Sequence, residues 1–138
     1  MKNVTVTMHL ASDRAYAAGF FDGEGCICIR RNRSPTYSLV IAISQKKVRP
    51  LQWLQERWGG SITQNSQRGL FNLQMGKRDG VAFLHDILPY LMVKEEQALF
   101  AVEFGGLTKP GTNGYTIDAN EFAIREAYKQ AITEAKYT

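Results

Sequence analysis

The side chains best suited to chemistry cluster in one stretch. Asp22 and Glu24 flank a single glycine, and Cys26 and Cys28 follow at once. Two thiols at i and i+2 of a strand share a face, but a disulfide between them strains the chain. A zinc site needs two more soft ligands, and the only histidines, His9 and His85, are far away in sequence. The cysteines therefore read as small reduced side chains on a strand. His85 falls among Leu84, Ile87 and Leu88 and reads as a half-buried, satisfied histidine. A Cys-His or Ser-His-Asp nucleophile has no local support. That leaves the carboxylates. Asp22, in the last turn of a helix, meets the unfavourable end of the helix dipole and needs a compensating partner. It reads as a helix-end or interface hydrogen-bonding group.

The elements that position these groups follow from periodicity. Residues 12–23 read as a helix with Ser12 as its N-cap. Ala11, Ala15, Ala18, Gly19 and Asp22 form a narrow stripe of small side chains, the kind that lets another backbone come close. Gly23 and Gly25 end the helix and turn the chain into a strand. Residues 26–33 and 36–44 read as a hairpin turning near Ser34-Pro35. Ile27, Ile29, Tyr37, Leu39, Ile41 and Ile43 face a core; Cys28, Arg30, Asn32, Thr36, Ser38, Val40, Ala42 and Ser44 face the other way. Pro50 suits the first turn of a short helix reaching Trp58, stopped by Gly59-Gly60. A second hairpin turns near Arg68-Gly69, with Ile62, Phe71, Leu73 and Met75 inward and Ser61, Thr63, Asn65, Asn72 and Gln74 outward. Helices at 79–91, broken around Pro89, and 94–104 precede a Gly- and Thr-rich loop at 105–117. Asp118 and Glu121 resemble a capping box opening a last helix, 118–136. The order α-ββ-α-ββ-α-α predicts an α+β fold, an antiparallel sheet with helices on one face and the other presented.

At 138 residues the chain is expected to form one domain. No apolar run approaches the ~18 residues that span a membrane. Met1 to Leu10 lack the apolar block of a secretory signal, so an intracellular location is expected. The net charge of +4 is unevenly spread. Residues 26–78 hold ten basic side chains and one acid, Glu56, for a balance of +9; the remainder holds seven basic and twelve acidic, for −5. Such a segregated basic segment is the footprint of a polyanion-binding face.

The run Tyr16-Ala17-Ala18-Gly19-Phe20-Phe21-Asp22-Gly23-Glu24-Gly25 strongly resembles the signature of the LAGLIDADG homing endonucleases, of the single-motif homodimeric type. Small helix positions run into acid–Gly–acid–Gly immediately before a strand, and the order of elements over roughly residues 12–104 is similar too. Ala17 stands where the name-giving leucine would be, and Glu24 replaces the second Asp. The resemblance implies a saddle-like fold and a homodimer whose motif helices pack along Ala15, Ala18, Gly19 and Asp22. Glu24 and its symmetry mate would then hold divalent cations, with Gly23 beside Glu24 as a metal position. Mg²⁺ is the expected ion, with Mn²⁺ or Ca²⁺ able to occupy the site. Such metals activate water and stabilise the leaving oxygen in phosphodiester hydrolysis. By the same resemblance, Gln45 in Ser44-Gln45-Lys46-Lys47-Val48-Arg49 orients water and Arg49 is a base near the scissile phosphate. Lys94, in Leu88-Pro89-Tyr90-Leu91-Met92-Val93-Lys94, organises the water network or neutralises charge.

The expected partner is double-stranded DNA, read on the open face of the sheet. Arg30, Asn32, Ser38, Ser61, Thr63, Asn65, Asn72 and Gln74 have outward phase, and Arg, Asn and Gln make bidentate contacts to base edges. Val40 and Ala42 are weaker readers that can touch thymine methyls. Arg31 and Arg33, with the opposite phase, are expected to reach phosphate, as are Lys46, Lys47 and Arg68; Ser34 and Gln67 in the turns complete the DNA-binding set. An eight-residue strand spans ~26 Å, or roughly seven to eight base pairs, so two subunits would read a long, nearly palindromic site. The family resemblance implies a staggered double-strand break with short 3′ overhangs. Two other readings stay open: an intron maturase binding structured RNA, and a catalytically silent DNA-binding module of the same fold.

Overall fold

The computed structural model describes residues 9–33, 36–107 and 119–137. Its elements run α1 (Ala11–Glu24), β1 (Gly25–Arg31), β2 (Tyr37–Gln45), α2 (Val48–Trp58), β3 (Ser61–Asn65), β4 (Leu70–Met75), α3 (Lys77–Ile87), a short 3₁₀ turn (Leu88–Tyr90), α4 (Glu95–Gly105) and α5 (Ala119–Ala135). The four strands form one antiparallel sheet in the order β1-β2-β4-β3. The expected α+β architecture is therefore found. The proposed turn at Ser34-Pro35, the Asp118 cap and most of the 105–117 loop lie outside the described residues.

Alternation puts the apolar half of each strand on one side. Ile27, Ile29, Leu39, Ile41, Ile43, Leu73 and Met75 are buried. The helices cover them with faces spaced three, four and seven residues apart: Leu51, Leu54 and Trp58 from α2, and Gly80, Phe83, Leu84 and Ile87 from α3. Gly80 is a point of close approach, since a Cβ there would meet Ile41 Cγ1 at 2.7 Å. Phe21 of α1 meets Phe83 edge-on with ring centroids 5.5 Å apart, and Trp58 meets Phe83 at 5.1 Å. The Trp58 indole donates to Asp86 Oδ2 at 2.9 Å, so its one polar atom is satisfied. Gly59 and Gly60 both have positive φ, 93° and 95°, which lets α2 stop and β3 begin at once.

Three details differ from expectation. Helix α1 begins at Ala11 with Leu10 as N-cap and no side-chain cap bond, so Ser12 lies inside the first turn and does not cap it. His85 is exposed on α3 rather than half-buried. Arg31 does not point freely outward: its guanidinium lies 4.7 Å from the ring centroid of Phe122 on α5. Its phase puts it on the helix-covered side, where an aromatic ring captures it. Arg31 nevertheless remains exposed beside that ring.

Helix α5 covers the far end of the first hairpin through this contact and through Tyr37, which meets Phe122 edge-on and donates to Glu126 Oε1 at 2.8 Å. Burial, then the bond to Glu126 and that carboxylate's charge, push the Tyr37 phenol up to about 12, against a smaller opposing pull from Arg31. A phenol whose folded pKa is raised adds stability that is complete below pH 10 and is lost as pH climbs toward 12. Urea denaturation at pH 9 and pH 11.5 should therefore show a larger drop in midpoint for the wild type than for Tyr37→Phe. Equal drops would remove Tyr37 from the alkaline transition.

Candidate active site and nucleic-acid face

Helix α1 passes into β1 without an intervening residue, because Gly25 is both the helix C-cap and the first residue of the strand. A Cβ on Gly25 would sit 2.2 Å from Phe21 Cδ1, so only glycine leaves room for the ring beneath the bend. Glu24 projects at this bend. It is exposed and has no hydrogen-bond or ion-pair partner among the described residues. Register brings the end of β2 alongside: Gly25 pairs with Ile43, which sets Ser44 and Gln45 next to the last residues of α1. Gln45 is half-buried, and its Oε1 accepts the Lys46 N–H at 2.8 Å.

Asp22 finds its compensating partners within the chain. Its two oxygens accept the N–H groups of Met92, at 2.8 Å, and Lys94, at 2.9 Å. The Lys94 ammonium donates back to the Asp22 carbonyl at 2.8 Å, placing a positive charge on the C-terminal end of α1, where the dipole favours it. Asp22, Glu24, Gln45 and Lys94 are thus brought to one end of α1. Arg49 stands exposed in the first turn of α2. It lines a cavity of about 580 Å³ with Asp13, Tyr16, Lys47, Pro50 and Trp53. The α1 residue of that cavity nearest to Glu24 is Tyr16, eight positions or about 12 Å earlier along the helix.

The small-residue stripe is rotated from its expected position. Ala18 is fully buried in the chain's own core with Ala17 and Phe21, so its side chain is not available to a partner. The exposed small residues of α1 are Ala11, Ser12, Ala15, Gly19 and Gly23. Nothing lies within 4 Å of where a Cβ would stand on Gly19 or Gly23. Asp22 is half-buried by its bonds to the 92–94 segment.

On the other side of the sheet the outward set stands as alternation predicts. Arg30, Ser61, Thr63, Asn65 and Gln74 are exposed, and Ser38, Val40, Ala42 and Asn72 are partly so. Arg33, Lys46, Lys47, Gln67 and Arg68 are exposed in or near the turns, whereas Ser34 lies outside the described residues. Asn32 is committed in part, since its amide donates to Thr36 Oγ1 at 3.1 Å and to Ser38 Oγ at 2.9 Å. Ser44 donates to Asn72 Oδ1 at 3.0 Å. Arg57, counted in the basic segment, is withdrawn from the face: it pairs with Asp13 at 3.2 Å and stacks 4.1 Å over Trp53. Sequence reasoning did not place Cys26 on this face, although the alternation that sets Arg30 outward also sets Cys26 and Cys28 there.

Among the described residues no three His, Cys, Asp or Glu side chains converge on a possible cation position. Glu24 by itself is an incomplete site for a hard divalent ion. No described helix is long and apolar enough to cross a membrane.

The Asp22 clamp generates a stability prediction. Asp22→Ala removes two charge-assisted hydrogen bonds to backbone N–H groups and should cost roughly 2–4 kcal/mol. Urea unfolding measures it, and a loss below about 0.5 kcal/mol would show that the 92–94 segment holds without the carboxylate.

The geometry has counterparts among known proteins. The chain resembles the homing endonuclease I-CvuI, solved in complex with the I-CreI target in the presence of Mg, at TM-score 0.61 and 17% identity over 92% of this chain and 96% of that one. It resembles I-Vdi141I, an archaeal intron-encoded homing endonuclease complexed with DNA, at TM-score 0.60 and 19% identity over 92% and 98%. The meganuclease I-SmaMI, bound to uncleavable DNA, aligns at TM-score 0.63 and 16% identity over 92% of this chain but only 48% of its own. A comparison with curated proteins finds no matching relative. The model of the LAGLIDADG endonuclease family matches residues 17–100, which take in the second half of the motif helix, both hairpins and the Lys94 turn. This chain belongs to the LAGLIDADG endonuclease family.

Proposed function

We infer that the protein is a site-specific double-strand DNA endonuclease, a single domain acting as a homodimer. The observation that carries this reading is the placement of Glu24: an exposed, unpartnered carboxylate held at a rigid helix–strand junction, beside a sheet face rich in base-reading side chains. A second copy related by a two-fold axis along the exposed row Ser12, Ala15, Gly19 and Gly23 would bring two such carboxylates together. The chain spans about half of I-SmaMI, as one subunit of a pair would. Relatives are crystallised with Mg or Ca, and the oxygens of Glu24 suit such ions.

When bound, a divalent cation supplies Lewis acidity at the phosphodiester. Glu24 would hold it, with Gly23 beside it at the helix end. Lys94, fixed on the Asp22 carbonyl, keeps positive charge near the phosphate that is attacked. Gln45 is placed to orient the water. Arg49, beside the middle of α1, reaches phosphate only if the partner subunit or the duplex comes to it. Arg30, Asn32, Ser38, Thr63, Asn65, Asn72 and Gln74 read base edges, and Arg33, Lys46, Lys47 and Arg68 meet phosphates. The product is a staggered cut with short 3′ overhangs in a long, nearly palindromic target.

Glu24→Gln should reduce Mg²⁺-dependent cleavage by at least a hundredfold while leaving specific duplex binding within about threefold. Cleavage by that variant at the wild-type rate would remove Glu24 from the metal. Gly19→Leu should shift sedimentation from dimer to monomer, because a bulky side chain would stand on the row that pairs; an unchanged dimer would place the interface elsewhere. Cleavage of a randomised duplex library with Mg²⁺ or EDTA tests the whole reading. Binding of structured RNA without any duplex cleavage would instead favour a maturase.

A further inference from the structure

The middle of the outward face of β1 and β2 carries no strong hydrogen-bonding side chain. Cys26 pairs with Ala42 and Cys28 with Val40, and all four point away from the helices. Directly paired residues stand about 5 Å apart and residues two positions apart on a strand about 7 Å, so the four make a small apolar window. Polar readers frame it. Arg30 and Ser38 form the next pair toward the turn, Gln74 and Ser61 continue the Cys26–Ala42 row across the sheet, and Ser44 and Asn72 lie beyond it. Cysteine is among the residue types most often buried, yet both thiols here are free and exposed. Among the described residues no helix covers them, and the single-residue junction ties the window to Glu24, two and four residues before Cys26 and Cys28.

Resting on the endonuclease reading, we propose that this window reads pyrimidine C5-methyl groups in the major groove close to the cleaved bonds. A thymine or 5-methylcytosine methyl is the one base-edge feature recognised by apolar contact alone. The window's ~7 Å length matches two base-pair steps, so two methyl-bearing pyrimidines about two base pairs apart fit it. The distance from Glu24 places them within about five base pairs of the cut in each half-site. Arg30 and Asn32, further along the same strand, then read positions farther out. Specificity near the cut comes from methyl contacts, and specificity at the flank from hydrogen bonds.

The test starts from the target recovered from a randomised duplex library and replaces each thymine by deoxyuridine, one position at a time. Burial of one methyl corresponds to about 0.8 kcal/mol, or roughly fourfold in affinity. Binding measured with Ca²⁺ should weaken about fourfold at one or two positions per half-site, about two base pairs apart and within five of the cut. Restoring the methyl with 5-methylcytosine opposite guanine at the same positions should outperform plain cytosine there. Cys28→Ser and Val40→Ser should lose the discrimination between thymine and deoxyuridine at those positions and keep it elsewhere. Tight binding and cleavage with no sensitivity to deoxyuridine, or a target lacking pyrimidine methyls near the cut, overturns the methyl window and leaves the endonuclease standing. Failure to bind or cut any duplex overturns the endonuclease reading and the window with it.

Discussion

The geometry of this protein depends on a junction with no slack. Glu24 closes α1 and Gly25 opens β1, so the carboxylate is gripped from both sides by regular hydrogen-bonded backbone. The bend is possible because Phe21 fills the space under Gly25 that any larger residue would need. It is stiffened by an exchange across seventy residues of sequence. Asp22 takes the N–H groups of Met92 and Lys94, and Lys94 returns its ammonium to the last turn of α1. Each half of the exchange offsets an unfavourable feature of the other. An acid at the negative end of a helix is tolerated because a lysine sits there, and the Met92 and Lys94 N–H groups ahead of α4 gain an acceptor.

The sheet then converts a fixed point into a surface. One face is sealed by α1, α2 and α3, with α5 over the far end of the hairpin, through a core of Phe21, Phe83, Trp58 and the inward isoleucines and leucines. Among the described residues no helix covers the other face, and its side chains are spaced by the strand repeat, outward from Glu24. Distance along a strand therefore becomes distance from Glu24. The basic segment feeds this surface selectively. Arg30, Arg31, Arg33, Lys46, Lys47 and Arg68 remain exposed, Arg31 against the Phe122 ring, while Arg57 is half-buried on Trp53 and paired with Asp13. A charge count along the chain thus overstates the charge offered to a polyanion, because guanidinium groups also serve to pack.

How much of this was legible without coordinates varied with the physics behind each feature. Strand faces were readable because a period of two leaves one choice, and the inward and outward sets of β1, β2, β3 and β4 stand where alternation puts them. The break at Pro89 and the stop at Gly59-Gly60 were readable because backbone chemistry dictates them. The motif pointed to Glu24 because acid–Gly–acid–Gly ahead of a strand is a rare local pattern, and family membership rests on the stretch around it.

Tertiary structure alone decided the rest. Alanines and glycines on a helix form several equivalent rows, and only the position of the sheet shows that Ala18 turns inward while Ala15, Gly19 and Gly23 stay exposed. The partners of Asp22, the capture of Arg31 by Phe122 and the placement of Arg49 beside Tyr16 and Trp53 all join residues distant in the chain. The amino-acid order by itself determined the elements and their apolar faces, since those depend on local period and side-chain type. Which cations and carboxylates meet depends on how the elements pack, and no local pattern encodes that.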